Sequence, residues 1–148
     1  MSRPELKIEL ATSPGYLVKV ASSTLRTAME EVLRPLGMTI THYSCLELLA
    51  QRPGLTSSEL ARGAFVTRQS MNVLLQALEQ EGLVTRPEHL AAGRTLPAEL
   101  TDAGRRQVAT ASAAVRAVED RMVSRLDPDE RTQLTQLLRR CVVSLEGS

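Results

Sequence analysis

A mainly α-helical chain with one short β-ribbon is predicted by three observations. Apolar residues recur at helical spacing, as in Met71, Leu74, Leu75 and Leu78. Helix-start signals stand in front of such runs at Ser13-Pro14, Thr39, Thr56-Ser57-Ser58-Glu59, Thr67, Thr101-Asp102 and Asp127-Pro128-Asp129-Glu130. Aromatic residues make up only 2% of the chain, with one Phe, two Tyr and no Trp, so the core must be aliphatic. The abundance of Ala, Leu, Glu, Gln and Arg then favours helices over sheets.

With 148 residues the chain is one domain of ordinary size, long enough to bury a core. A formal charge of +1 is not the strongly basic balance of a nonspecific nucleic-acid coat, so any DNA binding must come from a local patch, repeated in a dimer. Cys45 and Cys141 lie far apart without CxxC or His spacing, which signals neither a disulfide framework nor a zinc site. No cofactor and no metal are expected. A secretory core and a membrane-length apolar run are both missing from the sequence, and a soluble cytoplasmic protein with no membrane partner is the expectation.

Residues 1–12 hold Ile8 and Leu10 among charges and read as a loose arm or as a strand against a partner subunit. From the Ser13-Pro14 start, a helix sets Leu17, Ala21, Leu25, Ala28 and Val32 on one stripe and ends near Arg34-Pro35-Leu36-Gly37. Thr39 caps a second helix, about Ile40 to Gln51, with Tyr43, Leu46 and Leu49 or Ala50 inward, ended by Arg52-Pro53-Gly54. Thr56 and Glu59 form a capping box for a short third helix that Gly63 is expected to stop. A fourth runs from its N-cap Thr67 to Glu81, with Gly82 as a left-handed stop. Two short helices joined by a tight turn have helix-turn-helix spacing.

The fourth helix carries the chemistry. With Met71, Leu74, Leu75 and Leu78 inward, the opposite face presents Gln69, Asn72, Val73, Gln76 and Gln80. An ordinary solvated face would carry Lys and Glu, yet from Arg62 to Leu78 there are two arginines and no carboxylate. Amides can bond adenine edges bidentately, Arg can bond guanine, and a small apolar group can touch a thymine methyl. The DNA-binding candidates are therefore Thr67, Arg68, Gln69, Ser70, Asn72, Val73 and Gln76.

After Gly82 the period changes. Leu83-Val84-Thr85-Arg86 reads as a strand, Ala91-Ala92-Gly93-Arg94 as a turn, and Leu96, Ala98 and Leu100 as a returning strand that Pro97 demotes to an edge. A ribbon directly after such a helix is a wing, and Arg94 at its tip is a candidate for an A-T-rich minor groove. Thr101-Asp102 caps a long helix expected to reach Leu126, with Val108, Ala111, Val115, Val118 and Met122 on one stripe. Asp127 to Glu130 starts a last helix with Leu134, Leu137, Leu138, Cys141, Val142 and Leu145 as an apolar stripe. The terminal helices offer more apolar surface than a small winged domain can cover, which argues for a homodimer. The fold class is thus mainly α, a winged helix-turn-helix at 37–101 with dimerisation helices at 1–36 and 102–148 in one compact chain.

These residues resemble the MarR family of bacterial transcriptional regulators. The resemblance rests on Gly37-Met38-Thr39, on Pro53 through Ala61, on Leu78-Glu79-Gln80-Glu81-Gly82-Leu83-Val84 with Arg86, and on Gly93-Arg94 followed by Leu100-Thr101 and Gly104. It covers essentially the whole chain. It implies a homodimer on double-stranded DNA with an inverted repeat, one helix in each of two successive major grooves and one wing in each flanking minor groove. It also implies repression relieved by a small phenolic or other lipophilic inducer, or by cysteine oxidation. Family wings commonly read Asp-x-Arg; Ala92 stands here in the Asp position, and Pro97 shortens the wing strand.

Candidates for an inducer pocket are Tyr16, Leu17, His42, Tyr43 and Cys45, each equally explained as core, the reading preferred here. A winged-helix module that docks a protein partner is the competing function; it suits the near-zero charge, but docking faces favour aromatics and this one has none. An enzyme finds little support, because His42 and His89 lack a Cys, Asp or Ser constellation and no phosphate-binding Gly loop appears.

Overall fold

The computed structural model describes residues 7–86 and 98–147. Its elements run α1 (Pro14–Leu33), α2 (Ile40–Gln51), α3 (Ser57–Gly63), α4 (Arg68–Gln80), β1 (Val84–Thr85), β2 (Glu99–Leu100), α5 (Asp102–Met122) and α6 (Pro128–Glu146). Short 3-10 turns occupy Leu10–Thr12 and Arg34–Leu36. The strands pair antiparallel, Val84 opposite Leu100 and Thr85 opposite Glu99. The chain divides into two compact units, the first ending at Val115 and the second beginning at Arg116.

Local chemistry starts most of these helices. Ser13 accepts the Tyr16 N–H at 3.3 Å, Thr39 the His42 N–H at 3.1 Å, and Thr67 the Ser70 N–H at 3.0 Å. Both expected capping boxes close. The Thr56 N–H donates to Glu59 Oε1 at 3.1 Å while the Glu59 N–H donates to Thr56 Oγ1 at 3.2 Å, and Asp127 with Glu130 does the same at 3.0 and 2.8 Å. Those bonds to Thr56 also hold the Glu59 carboxyl below its usual range.

One aliphatic core fills the first unit. It joins Leu33 of α1, Cys45, Leu46 and Leu49 of α2, Leu60 and Ala61 of α3, the four inward residues of α4, Val84, Leu100, and Val108, Ala111 and Val115 of α5. Leu49 faces inward and Ala50 is exposed, which resolves that alternative. The single Phe stays out of the core, as the aliphatic composition requires.

One alternative is set aside, one helix end is explained and one is corrected. The segment before Ser13 is no strand where it is described; it ends in a 3-10 turn. Gly63 closes α3, as expected, without itself taking the left-handed conformation common at such ends. That conformation falls on Phe65, with φ 59°, whereas a Cβ on Gly63 would meet Leu48 Cδ1 at 2.9 Å, so the glycine serves close approach of α3 to α2. Finally, α5 stops at Met122 rather than Leu126, because the Arg131 Nε–H donates to the carbonyls of Val123 and Leu126 at 3.2 and 3.0 Å and holds the chain in a turn.

Candidate nucleic-acid interface

Burial of Met71, Leu74, Leu75 and Leu78 fixes the rotation of α4 about its axis. Gln69, Asn72, Val73 and Gln76 are consequently exposed, Val73 by 63%. Arg68, Gln69, Asn72, Val73 and Gln76 all line one open groove, together with Gln80. Thr67 and Ser70 stand at its N-terminal end, where the Thr67 hydroxyl donates to Ser70 Oγ at 2.9 Å. The positive end of the helix dipole and the Arg68 cation both lie at this end of α4, which therefore favours anions.

Two further groove residues were missed. Glu79 lies at the C-terminal end of the groove, one residue beyond the carboxylate-free stretch. Arg86 follows β1, and its Nη2–H donates to Asn72 Oδ1 at 3.4 Å. No local sequence pattern marks it, since β1 ends at Thr85 and its partner Asn72 lies back on α4. A guanidinium can only donate, so the Asn72 carbonyl oxygen must face it and the Asn72 NH2 faces the groove. Gln69 and Gln76 keep the bidentate amide pattern that suits adenine; Asn72 presents donors, which suit purine N7, guanine O6 or thymine O4.

The wing base is anchored to α5. The Thr101 N–H donates to Leu83 O at 3.0 Å, its hydroxyl donates to Gly82 O at 2.6 Å, and its Oγ1 accepts the Gly104 N–H at 3.0 Å. Arg94, together with His89, Ala92, Leu96 and Pro97, lies outside the described residues.

The five inducer candidates differ in access. Tyr16 and Leu17 are 44% and 48% exposed at the start of α1, so neither is core within this chain. His42 and Tyr43 are half-buried on α2, and Cys45 is fully buried. Desolvation pushes the Cys45 thiol up to about 12, with the Arg86 cation pulling the other way. Tyr43 bonds Ser112 of α5 at 3.5 Å, and the Ser112 hydroxyl in turn donates to the Glu47 carboxylate, a polar link between α2 and α5. Among the described residues no group of His, Cys, Asp and Glu has the arrangement to hold a metal, and no helix is long and apolar enough to cross a membrane.

A capped helix pair, an amide-rich exposed face on its second member and a two-stranded ribbon after it together define a winged helix-turn-helix protein. A family model described as MarR family matches residues 36–95. The HTH-type transcriptional repressor Rv2887 of Mycobacterium tuberculosis is 43% identical over 124 residues, spanning 84% of this chain and 89% of that protein. The chain belongs to the MarR family. Its fold is similar to that of Rv2887 in complex with DNA, at TM-score 0.75 and 39% identity over 88% of this chain and 98% of that one. It is likewise similar to Rv2887 in complex with salicylic acid, at TM-score 0.74 and 41% identity over 88% and 96% of the two chains.

Proposed function

We propose that the chain is a dimeric transcriptional repressor in the cytoplasm. Helix α4 reads an inverted repeat in double-stranded DNA, and a small aromatic acid of the salicylate kind releases it. The observation that carries this reading is the groove along α4, whose N-terminal reach offers Arg68, Gln69, Asn72, Val73 and Gln76 and no carboxylate. Rv2887 supports it, being a repressor with structures in complex with DNA and with salicylic acid at about two-fifths identity. The competing protein-docking reading finds no aromatic side chain in this groove.

Dimerisation falls to residues 1–36 and 102–148, and DNA binding to 37–101. In support, α6 has no buried residue although Leu137, Leu138, Val142 and Val143 are 41 to 66% exposed. An apolar stripe of that kind is stable in water when a second copy covers it. Arg94 extends the contact into the minor groove. The chain needs no cofactor and catalyses no reaction.

The test is selection from a random duplex pool with the purified full chain, then titration of salicylate into the selected complex. The reading expects one enriched inverted repeat and a fall in affinity with salicylate. Recovery of unenriched DNA would overturn it.

A further inference from the structure

Among the described residues, three helix ends close with the same backbone device. At Gly37 the N–H donates to Arg34 O at 2.9 Å and the next N–H, of Met38, to Leu33 O at 3.2 Å. At Gly82 the N–H donates to Glu79 O at 3.0 Å and that of Leu83 to Leu78 O at 2.9 Å. At Phe65 the N–H donates to Arg62 O at 3.3 Å and that of Val66 to Ala61 O at 3.0 Å. This pair of bonds requires a left-handed residue at the end of the helix, a place suited to glycine. The first two ends use glycine, with φ 73° and 76°; the third places phenylalanine there, with φ 59°.

Phenylalanine in that conformation is strained, because its Cβ crowds the following carbonyl. Packing does not compensate for the strain, since the ring is 94% exposed. The free protein therefore gains nothing from Phe65 that Gly would not supply at lower cost. A side chain held under those two penalties finds its use in a complex. Its surroundings say which. Phe65 lies in the turn of the helix pair, two residues before the α4 cap Thr67, between exposed Arg62 and Arg68 and in a stretch without carboxylates. A surface of that charge meets an anionic partner, and the groove beside it is the one proposed above for the duplex.

We propose that Phe65 is a DNA-contacting residue, which lays its ring on the apolar part of a nucleotide, a deoxyribose face or a thymine methyl, at the edge of the major groove where α4 enters. This inference rests on the DNA-binding reading and adds to it an apolar anchor outside the recognition helix. The contact neutralises no phosphate, so it contributes affinity without contributing to the salt dependence.

The experiment compares wild type, Phe65→Gly and Phe65→Asn, all full length, on a duplex that the wild type has selected from a random pool. Gly and Asn both accept the left-handed backbone, so neither variant is expected to melt below wild type, and Gly is expected to melt higher by a few degrees. Both should bind the duplex at least about fivefold more weakly, the effect of losing one well-covered aromatic ring. The slope of log affinity against log salt should stay at its wild-type value, whereas Arg68→Ala should lower it. A second duplex with uracil in place of thymine, titrated with wild type and with Phe65→Gly, separates the two sources: the loss caused by Phe65→Gly shrinks on the uracil duplex if the ring touches the methyl and is the same on both duplexes if it touches the sugar, whatever methyl contact Val73 makes. Wild-type affinity in Phe65→Gly would overturn the inference while leaving the DNA-binding reading intact. Failure of the wild type to select any duplex would instead overturn that reading, and this inference with it.

Discussion

Gly104 gives the sharpest test of how the wing is mounted. A Cβ at this position in the first turns of α5 would stand 2.1 Å from Leu83 O and 3.1 Å from its carbonyl carbon. Leu83 cannot yield, because the same carbonyl accepts the Thr101 N–H and its neighbour Gly82 O accepts the Thr101 hydroxyl. Gly104→Ala therefore forces α5 and the strand apart by roughly 1 Å, with overpacking of the costlier kind at about 3 kcal/mol. Loss of the two Thr101 bonds adds about 1 kcal/mol each, and the better helix propensity of Ala returns about 1 kcal/mol. At about 2 to 4 °C per kcal/mol for a chain of this size, the melting temperature should fall by roughly 8 to 16 °C. Gly15→Ala is the control, since nothing lies within 4 Å of its Cβ, and it should melt at or slightly above wild type. Gly63→Ala should fall between the two, because the atom it meets is the end of the flexible Leu48 side chain. Circular dichroism melts of the three variants at one protein concentration measure the order. A Gly104→Ala melt within about 2 °C of wild type would refute the reasoning.

Other predictions concern the groove, the buried thiol and the terminal helix. Removing Arg86 frees Asn72 Oδ1, so selection with Arg86→Ala should change the preferred base at one position of each half-site, whereas Arg86→Lys, which still donates, should change it less. An unchanged preference in Arg86→Ala would show that Arg86 does not orient Asn72. Burial raises the Cys45 thiol from 9.0 to about 12, so the unfolded chain loses this proton first as pH rises and stability falls between those values. Cys45→Ala should accordingly lose less stability than wild type between pH 9 and about 12, measured by urea unfolding at each pH, and peroxide at neutral pH should not release DNA through Cys45. On α6, Leu138→Glu should shift the light-scattering mass from two chains towards one; a monomeric wild type at micromolar concentration would remove the dimer from the account.

Helix starts were legible in the sequence because a cap is a bond between residues three apart. Ser13, Thr39, Thr56, Thr67 and Asp127 each make the bond their spacing predicts. Helix ends were less so. The end of α5 depends on Arg131, eight residues beyond one of the carbonyls it satisfies, and the end of α3 rests on a left-handed phenylalanine that no propensity would choose. The reading face followed from the apolar period of α4, since burying one stripe dictates the other. Arg86 did not, because its partner Asn72 is fourteen residues away across a turn and a strand. Periodicity also marks apolar stripes without saying which neighbour covers them: the stripe of α4 is buried within the chain, whereas Leu17 of α1 and Leu138 of α6 remain exposed.

The central claim is that the exposed amides of α4 read bases. The direct measurement is the affinity of Gln69→Ala, Asn72→Ala and Gln76→Ala for the selected inverted repeat and for random duplex at one salt concentration. The account predicts a loss of about 1 to 3 kcal/mol per half-site contact on the selected duplex and almost none on random DNA. Equal losses on both duplexes, or none on either, would contradict it.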